Sequence, residues 1–288
     1  IFLKGSWELG PDHGITLKVS RFREDSQVTY SGLTRTEFAA DPRGNVFVND
    51  DFQTERWNAT LAHRWTLSDA VTLKTAAYYH YFTRDWWRQS SNSGQRPNDS
   101  SDPACGGMAN LFTTCGNEGR LRDYDTWGVE SRLTLDHDAL GFGGETEIGI
   151  RYHQERQRRQ QVNGDTPTAR TAGTGVNAGL RENNERDADA FSAFIQSRLE
   201  FGPLAIIPGL RGEFINYERR NLPVDVLVDG RPSGNLTMLS SGRQSLDKVL
   251  PGIGATWELA KDVTLYGGVH RGFAPPLSLI HISEPTRQ

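Results

Sequence analysis

The feature that most constrains this chain is the rhythm of its breaks. Short polar turns recur at 10–14, 68–70, 137–141, 202–203 and 260–262. The connections between them are long and rich in Gly, Asn, Asp, Ser and Arg, at about 25–54, 88–122, 158–186 and 220–243. Each repeat of about 60 residues is therefore two strands, joined by one long loop and bounded by short turns. A soluble sandwich would show turn signals every ~8–12 residues. Regular alternation of short and long connections instead suits a barrel that crosses a membrane, with short turns at one rim and long loops at the other.

The strands between the breaks repeat with period two. In 59–67, Ala59, Leu61, Trp65 and Leu67 share one face, with Asn58, Thr60, Arg64 and Thr66 on the other. In 127–135, Trp127, Val129, Leu133 and Leu135 oppose Glu130, Arg132 and Thr134. In 191–201, Phe191, Ala193, Ile195, Leu199 and Phe201 oppose Ser192, Gln196, Arg198 and Glu200. In 253–259, Ile253, Ala255, Trp257 and Leu259 oppose Thr256 and Glu258. The polar faces carry too much charge for a packed core and suit a wet or plugged lumen. Two departures stand out: His63 falls on an apolar face, and 72–86 is aromatic on both faces. Trp65, Phe142, Phe201 and Trp257 gather near the short turns, where interfacial rings are expected. No apolar run approaches the ~18 residues of a membrane helix, which a barrel does not need.

A net charge of −4 gives no bulk attraction to nucleic acid, and none is expected as a partner. The 27 arginines against five lysines reflect either genomic base composition or a surface of forked donors meeting carboxylates or phosphates.

The segment Tyr266-Gly267-Gly268-Val269-His270-Arg271-Gly272-Phe273-Ala274-Pro275-Pro276 alternates outward Leu265, Gly267 and Val269 with inward Tyr266, Gly268 and His270, then stops at two prolines that cannot donate to a ladder. It resembles the barrel signature of TonB-dependent outer-membrane receptors, an aromatic-rich strand ending Gly-Phe-x-Pro-Pro. The resemblance runs over roughly 1–276. It implies an all-β, antiparallel transmembrane barrel of the Gram-negative outer membrane. About ten strands here would be a central arc of a barrel with about twice that number. It also implies partners: an iron chelate, the TonB complex acting through a plug segment outside this chain, and outer-membrane lipid and lipopolysaccharide. Ile1 sits inside a strand pattern with no signal segment before it, and 277–288 reads like translated sequencing adapter. The chain is accordingly expected to be a piece of a longer one, with 277–288 not native.

Tyr81 to Gln89, and Cys115 to Tyr124, with Ser31 to Thr34 and Glu37 to Pro42 before them, look like the ferric-citrate subfamily of these receptors. Such a ligand is a compact polyanion that needs convergent forked cations above the membrane. The expected ligand-binding residues are Arg84, Arg88, Arg120 and Arg122, with Gln89 and Asn117 as neutral donors and Trp86, beside Trp87, as a wall or interface anchor. The competing reading pairs these arginines with Asp85, Asp123 and Asp125 or with lipopolysaccharide phosphates. Cys105 and Cys115, in one glycine-rich loop, are expected to form a disulfide, with free thiols as the alternative. The basic run Arg151 to Arg159 is expected to be a solvated rim touching anionic lipid. No nucleophile elbow, phosphate loop or zinc helix is found, and no enzyme activity, cofactor or metal is expected. Alternatives of other classes are a passive porin, a receptor for a cobalamin or saccharide, and a barrel lipase or protease.

Overall fold

The computed structural model describes residues 1–29, 33–45, 49–88, 117–139 and 142–274. The strands are β1 (Phe2–Glu8), β2 (His13–Ser26), β3 (Asp51–Ser68), β4 (Val71–Arg88), β5 (Asn117–Ala139), β6 (Phe142–Gly164), β7 (Gly179–Phe201), β8 (Leu204–Asn221), β9 (Val224–Val228), β10 (Arg231–Thr237), β11 (Gly242–Ala260) and β12 (Val263–His270). Ten of them form one sheet in the order β1-β2-β3-β4-β5-β6-β7-β8-β11-β12, while β9 and β10 pair separately. All pairings are antiparallel, and neighbours in the large sheet follow one another along the chain, apart from the inserted β9–β10 hairpin.

Register turns the period-two pattern into two continuous faces, because paired residues share a side. One row across seven strands reads Trp65, Leu73, Leu133, Ile148, Ile195, Leu210, Pro251, all apolar. The molecule is inside out by the standards of a soluble protein. Leu61, Trp65, Ile150, Ile195, Leu210 and Ile253 are exposed, whereas the largest fully buried side chains among the described residues are Gln161, Glu118, Asn117, Asn163, Asn184 and Asp50. An exposed apolar belt of this extent is a surface that lipid covers.

Two aromatic rows bound the belt. Trp65 and Trp257, both exposed, lie near the short turns as expected. The second row, which sequence reading did not single out, is Trp57, Tyr79, Trp127 and Tyr152. Three of its polar tips reach away from the short turns, Trp57 Nε1 donating to Glu55 at 2.9 Å, Tyr79 Oη to Asp125 at 2.7 Å and Tyr152 Oη to Asp189 at 2.9 Å, while Trp127 Nε1 donates straight across to Gln154 at 2.6 Å. Rings that are greasy at one end and wet at the other mark an interface. Trp57 and Trp65 are separated by about 26 Å along β3, or ~20 Å once a ~40° tilt is allowed, close to the ~25 Å band of such barrels.

The two departures are resolved locally. His63 stacks on His13 with ring centroids 5.3 Å apart, and the facing nitrogens are 3.1 Å apart. In β4, Tyr79 and Tyr81 lie on the apolar side, while Tyr78, His80 and Phe82 lie on the polar side. The last strand ends at His270, before the Gly-Phe-Ala corner.

Beyond the second aromatic row the strands run on, further than their composition suggests. Asn117–Arg122, Arg158–Gly164 and Gly179–Arg186 belong to β5, β6 and β7 rather than to loops. The 220–243 connection contains the β9–β10 hairpin, whose Asp229-Gly230 turn has positive φ at both residues (49° and 76°), the geometry that Asp-Gly favours. The 25–54 connection holds a helix, α1 (Arg35–Ala40), started by a capping box between Thr34 and Glu37. Gln89, Cys105, Cys115, the Pro275-Pro276 pair and 277–288 lie outside the described residues.

Candidate functional site

The outer segments of β4 to β8 carry a second register row on the polar face. Arg84 pairs with Arg122, Arg122 with Arg159, Arg159 with Asn184 and Asn184 with Asn221. On the same face and beyond the level of Tyr78 lie Arg56, Arg88, Arg120, Arg186 and Arg219, against the carboxylates Glu24, Glu118, Glu155 and Glu182. Eight cations against four anions leave a surplus of four positive charges on one wall.

The four expected arginines are brought together, and the structure divides them by partner. Arg88 and Arg120 both grip Glu118, at 2.6 and 2.7 Å, and Gln161 donates to its other oxygen at 3.1 Å. The Glu118 side chain is fully buried, so this carboxylate braces the two guanidinium groups and is sealed from solvent. Arg122 donates to two backbone carbonyls, Leu121 and Gln160, both at 2.9 Å, bonds that fix its direction without neutralising it. Arg84 lies directly opposite Arg122 and its Nε has no partner among the described residues. Burial pushes the Arg122 guanidinium down to about 10, helped by Arg159, Arg84 and Arg120 and opposed by Glu182. Burial likewise lowers Arg84, with Arg88, Arg159 and Arg120 adding repulsion. Both stay cationic at neutral pH. Crowded, partly desolvated like charges are relieved by an incoming anion.

Aromatic rings form the rest of the wall. Arg84 and Arg88 lie over the Trp86 ring at 5.9 and 4.8 Å, so the indole separates two cations. Trp86 Nε1 donates to the Val28 carbonyl at 2.9 Å, tying the ring to the β2–β3 connection. Phe82 and Tyr124 pack at 5.6 Å one level below, with Arg56 over Phe82 at 4.9 Å. Asn117, at an odd position of β5 like Leu121 and Asp123, falls on the opposite face from the arginine row; it is buried and donates to the Ala169 carbonyl at 3.4 Å, while its Oδ1 lacks a partner among the described residues. Trp87 faces the other way and is buried beneath Arg170, 5.8 Å above its ring.

The carboxylates expected as competing partners, Asp85, Asp123 and Asp125, lie on the opposite face, in register with Leu121, Thr83 and Tyr81. Period two excludes them from the arginine row. The partners are Glu118 and Glu182, which sequence reading did not single out. Their signal was parity: both share the face of Arg120 and Arg159. The run Arg151 to Arg159 is likewise split by parity. Arg151, His153 and Arg159 turn to the polar face, where Arg151 donates to Tyr78 Oη at 2.9 Å. Arg156 turns outward and pairs with Asp187 at 2.8 Å. A cavity of about 210 Å³ lined by Glu8, Arg64 and Lys74 lies near the short turns, at the other end of the strands.

A protein-family model described as TonB dependent receptor-like, beta-barrel matches residues 6–281. The fold is similar to the crystal structure of the ferric citrate transporter FecA in its unliganded form, with a TM-score of 0.69 and 16% identity over 93% of this chain and 35% of that one. It is also similar to the open form of the ferric-catecholate import receptor Fiu from E. coli K12, with a TM-score of 0.67 and 14% identity over 96% of this chain and 46% of that one. The copper transporter OprC aligns with a TM-score of 0.55 and 15% identity over 93% of this chain and 35% of that one. This chain thus spans about a third to a half of the length of these proteins, and such identities bear on fold alone. No curated protein matches in sequence.

Proposed function

The chain belongs to the TonB-dependent receptor-like β-barrel family, and from that premise we propose that its arginine row is the outer binding surface of a receptor that imports a ferric chelate. The chelate is one that presents carboxylates, such as ferric citrate, and the protein sits in the outer membrane of a Gram-negative cell. The observation that carries this reading is the surplus of four positive charges on the lumen wall, above the lipid band. Planar guanidinium forks match carboxylates in pairs, and a wall held between β-strands presents them already oriented. Arg84 and Arg122 are the contacting pair. Arg88 and Arg120, held by Glu118, set its rim. Trp86 spaces the cations. Import itself would be driven by the TonB complex pulling on a plug outside this chain. A passive channel has no need for an uncompensated, preoriented cation row at its mouth.

The test is Arg84→Gln with Arg122→Gln in the full-length receptor, measuring ferric-citrate binding by titration and assembly by heat-modifiable gel mobility. Two charge-assisted contacts are worth about 3–6 kcal/mol together, so binding should weaken at least a hundredfold while assembly is retained. Unchanged affinity would remove the assignment.

A further inference from the structure

The two carboxylates within the arginine row are not equivalent. Glu118 is sealed, with no exposed side-chain area and contacts of 2.6 and 2.7 Å to its arginines. Glu182, on β7, keeps 24% of its side chain exposed. It reaches Arg120 at 3.4 Å and Arg159 at 3.6 Å, and Asn184 donates to it at 2.9 Å. Good charge-assisted pairs close to about 2.7–2.9 Å, so Glu182 holds its two cations loosely. The Arg120 guanidinium bridges the two, its Nε on Glu118 and its Nη1 towards Glu182.

We propose that Glu182 is a resident counter-anion: it occupies the place of one ligand carboxylate, is displaced when the ligand binds, and so sets which anions the row accepts. This rests on the reading of the row as a site for an anionic chelate. A tethered carboxylate competes at an effective concentration of about millimolar or more. A small anion that meets one or two of these arginines gains too little to evict it. A ligand with several carboxylates on one rigid body engages Arg84 and Arg122 as well, and that extra contact pays the cost of displacement. Glu182 therefore trades affinity for discrimination, acting by exclusion as much as by attraction.

The experiment uses full-length receptor and three probes: ferric citrate, citrate alone and inorganic phosphate. Glu182→Gln keeps the shape and the amide contacts while removing one negative charge about 4–8 Å from the bound anion. At an effective dielectric of ~20–40 this should tighten ferric citrate at least about fivefold and let millimolar phosphate compete. Glu182→Asp, which restores the charge, should return both values towards wild type. A purely structural role for Glu182 predicts the reverse, weaker binding in Glu182→Gln. Unchanged or weaker ferric-citrate binding by an assembled Glu182→Gln receptor overturns the proposal. Should that variant fail to assemble, the wild type still decides: millimolar phosphate displacing ferric citrate from it also overturns the proposal. Wild type that binds none of the three probes overturns the reading of the row itself, which separates the two failures.

Discussion

Replacing Glu118 with Gln tests whether the outer wall is braced from within. Glu118 is fully buried and accepts from Arg88 at 2.6 Å, Arg120 at 2.7 Å and Gln161 at 3.1 Å. The isosteric amide keeps one acceptor oxygen but presents an NH₂ where Gln161 now donates, and it removes the charge that balances two cations. Arg120 retains Glu182, whereas Arg88, with only 11% of its side chain exposed, loses a carboxylate it cannot exchange for bulk water. Removing one member of a buried pair costs about 3–5 kcal/mol. Taking the lower figure because Arg120 is partly compensated, local opening of the outer β4–β5 ladder should become about a hundredfold more frequent. Hydrogen exchange on the full-length protein in detergent reads this directly. Amides of 84–88 and 117–122 should exchange about a hundredfold faster, while those of 59–67 inside the apolar band stay unchanged. An acceleration below about fivefold, or one spread equally into the band, would refute the bracing argument.

Other outcomes follow from the same structure. A Cβ on Gly128 would lie against Tyr78 Oη and 2.7 Å from the Tyr152 carbonyl, so Gly128→Val should destabilise the barrel by about 1–3 kcal/mol and lower the temperature of its gel-mobility shift; an unchanged transition would contradict that packing. Burial alone would raise the Glu182 carboxyl, but Arg159, then Asn184, Arg122 and Arg120, outweigh it and hold it below 4.5. The stability Glu182 contributes is therefore complete above that value and is lost as pH falls through the lower folded one. Outer-segment opening in wild type, read as exchange relative to the intrinsic amide rate at each pH, should rise over that acidic window and be flatter in Glu182→Gln; equal profiles would contradict it. Cys105 and Cys115 are expected to be bridged, so labelling of unfolded, unreduced protein that finds free thiols would remove the bridge.

The sheet was legible from sequence wherever lipid enforces contrast between the faces. Leu61 against Thr60, and Ile195 against Gln196, can be read as strand because one side must be apolar. Above the band both sides meet water, and the pattern loses its contrast. Asn117 to Arg122 and Arg158 to Gly164 therefore read as loop although the ladder continues through them. The same blindness hid Glu118: in a polar run one carboxylate looks like another until register places it between Arg88 and Arg120. Two missed elements did carry local signals, the Asp229-Gly230 hairpin turn and the Thr34-x-x-Glu37 cap. The grouping of Arg84, Arg88, Arg120 and Arg122 was recoverable because all four share even parity at the outer ends of adjacent strands.

Because Arg120 and Arg122 stand at even positions of β5 and Asp123 and Asp125 at odd ones, the charge of the wall depends on a reading frame. Deleting one residue between Tyr124 and Glu130, with the short turn held in place, would rotate the outer part of β5 by half a period. Asp123 and Asp125 would then point into the lumen, and Arg120 and Arg122 out of it. Glu118 would leave with the two arginines, so the surplus of positive charge on the wall would fall from four to one, with no change of side-chain type in that stretch. Evolution of cargo in such a wall can thus proceed by slippage as well as by substitution.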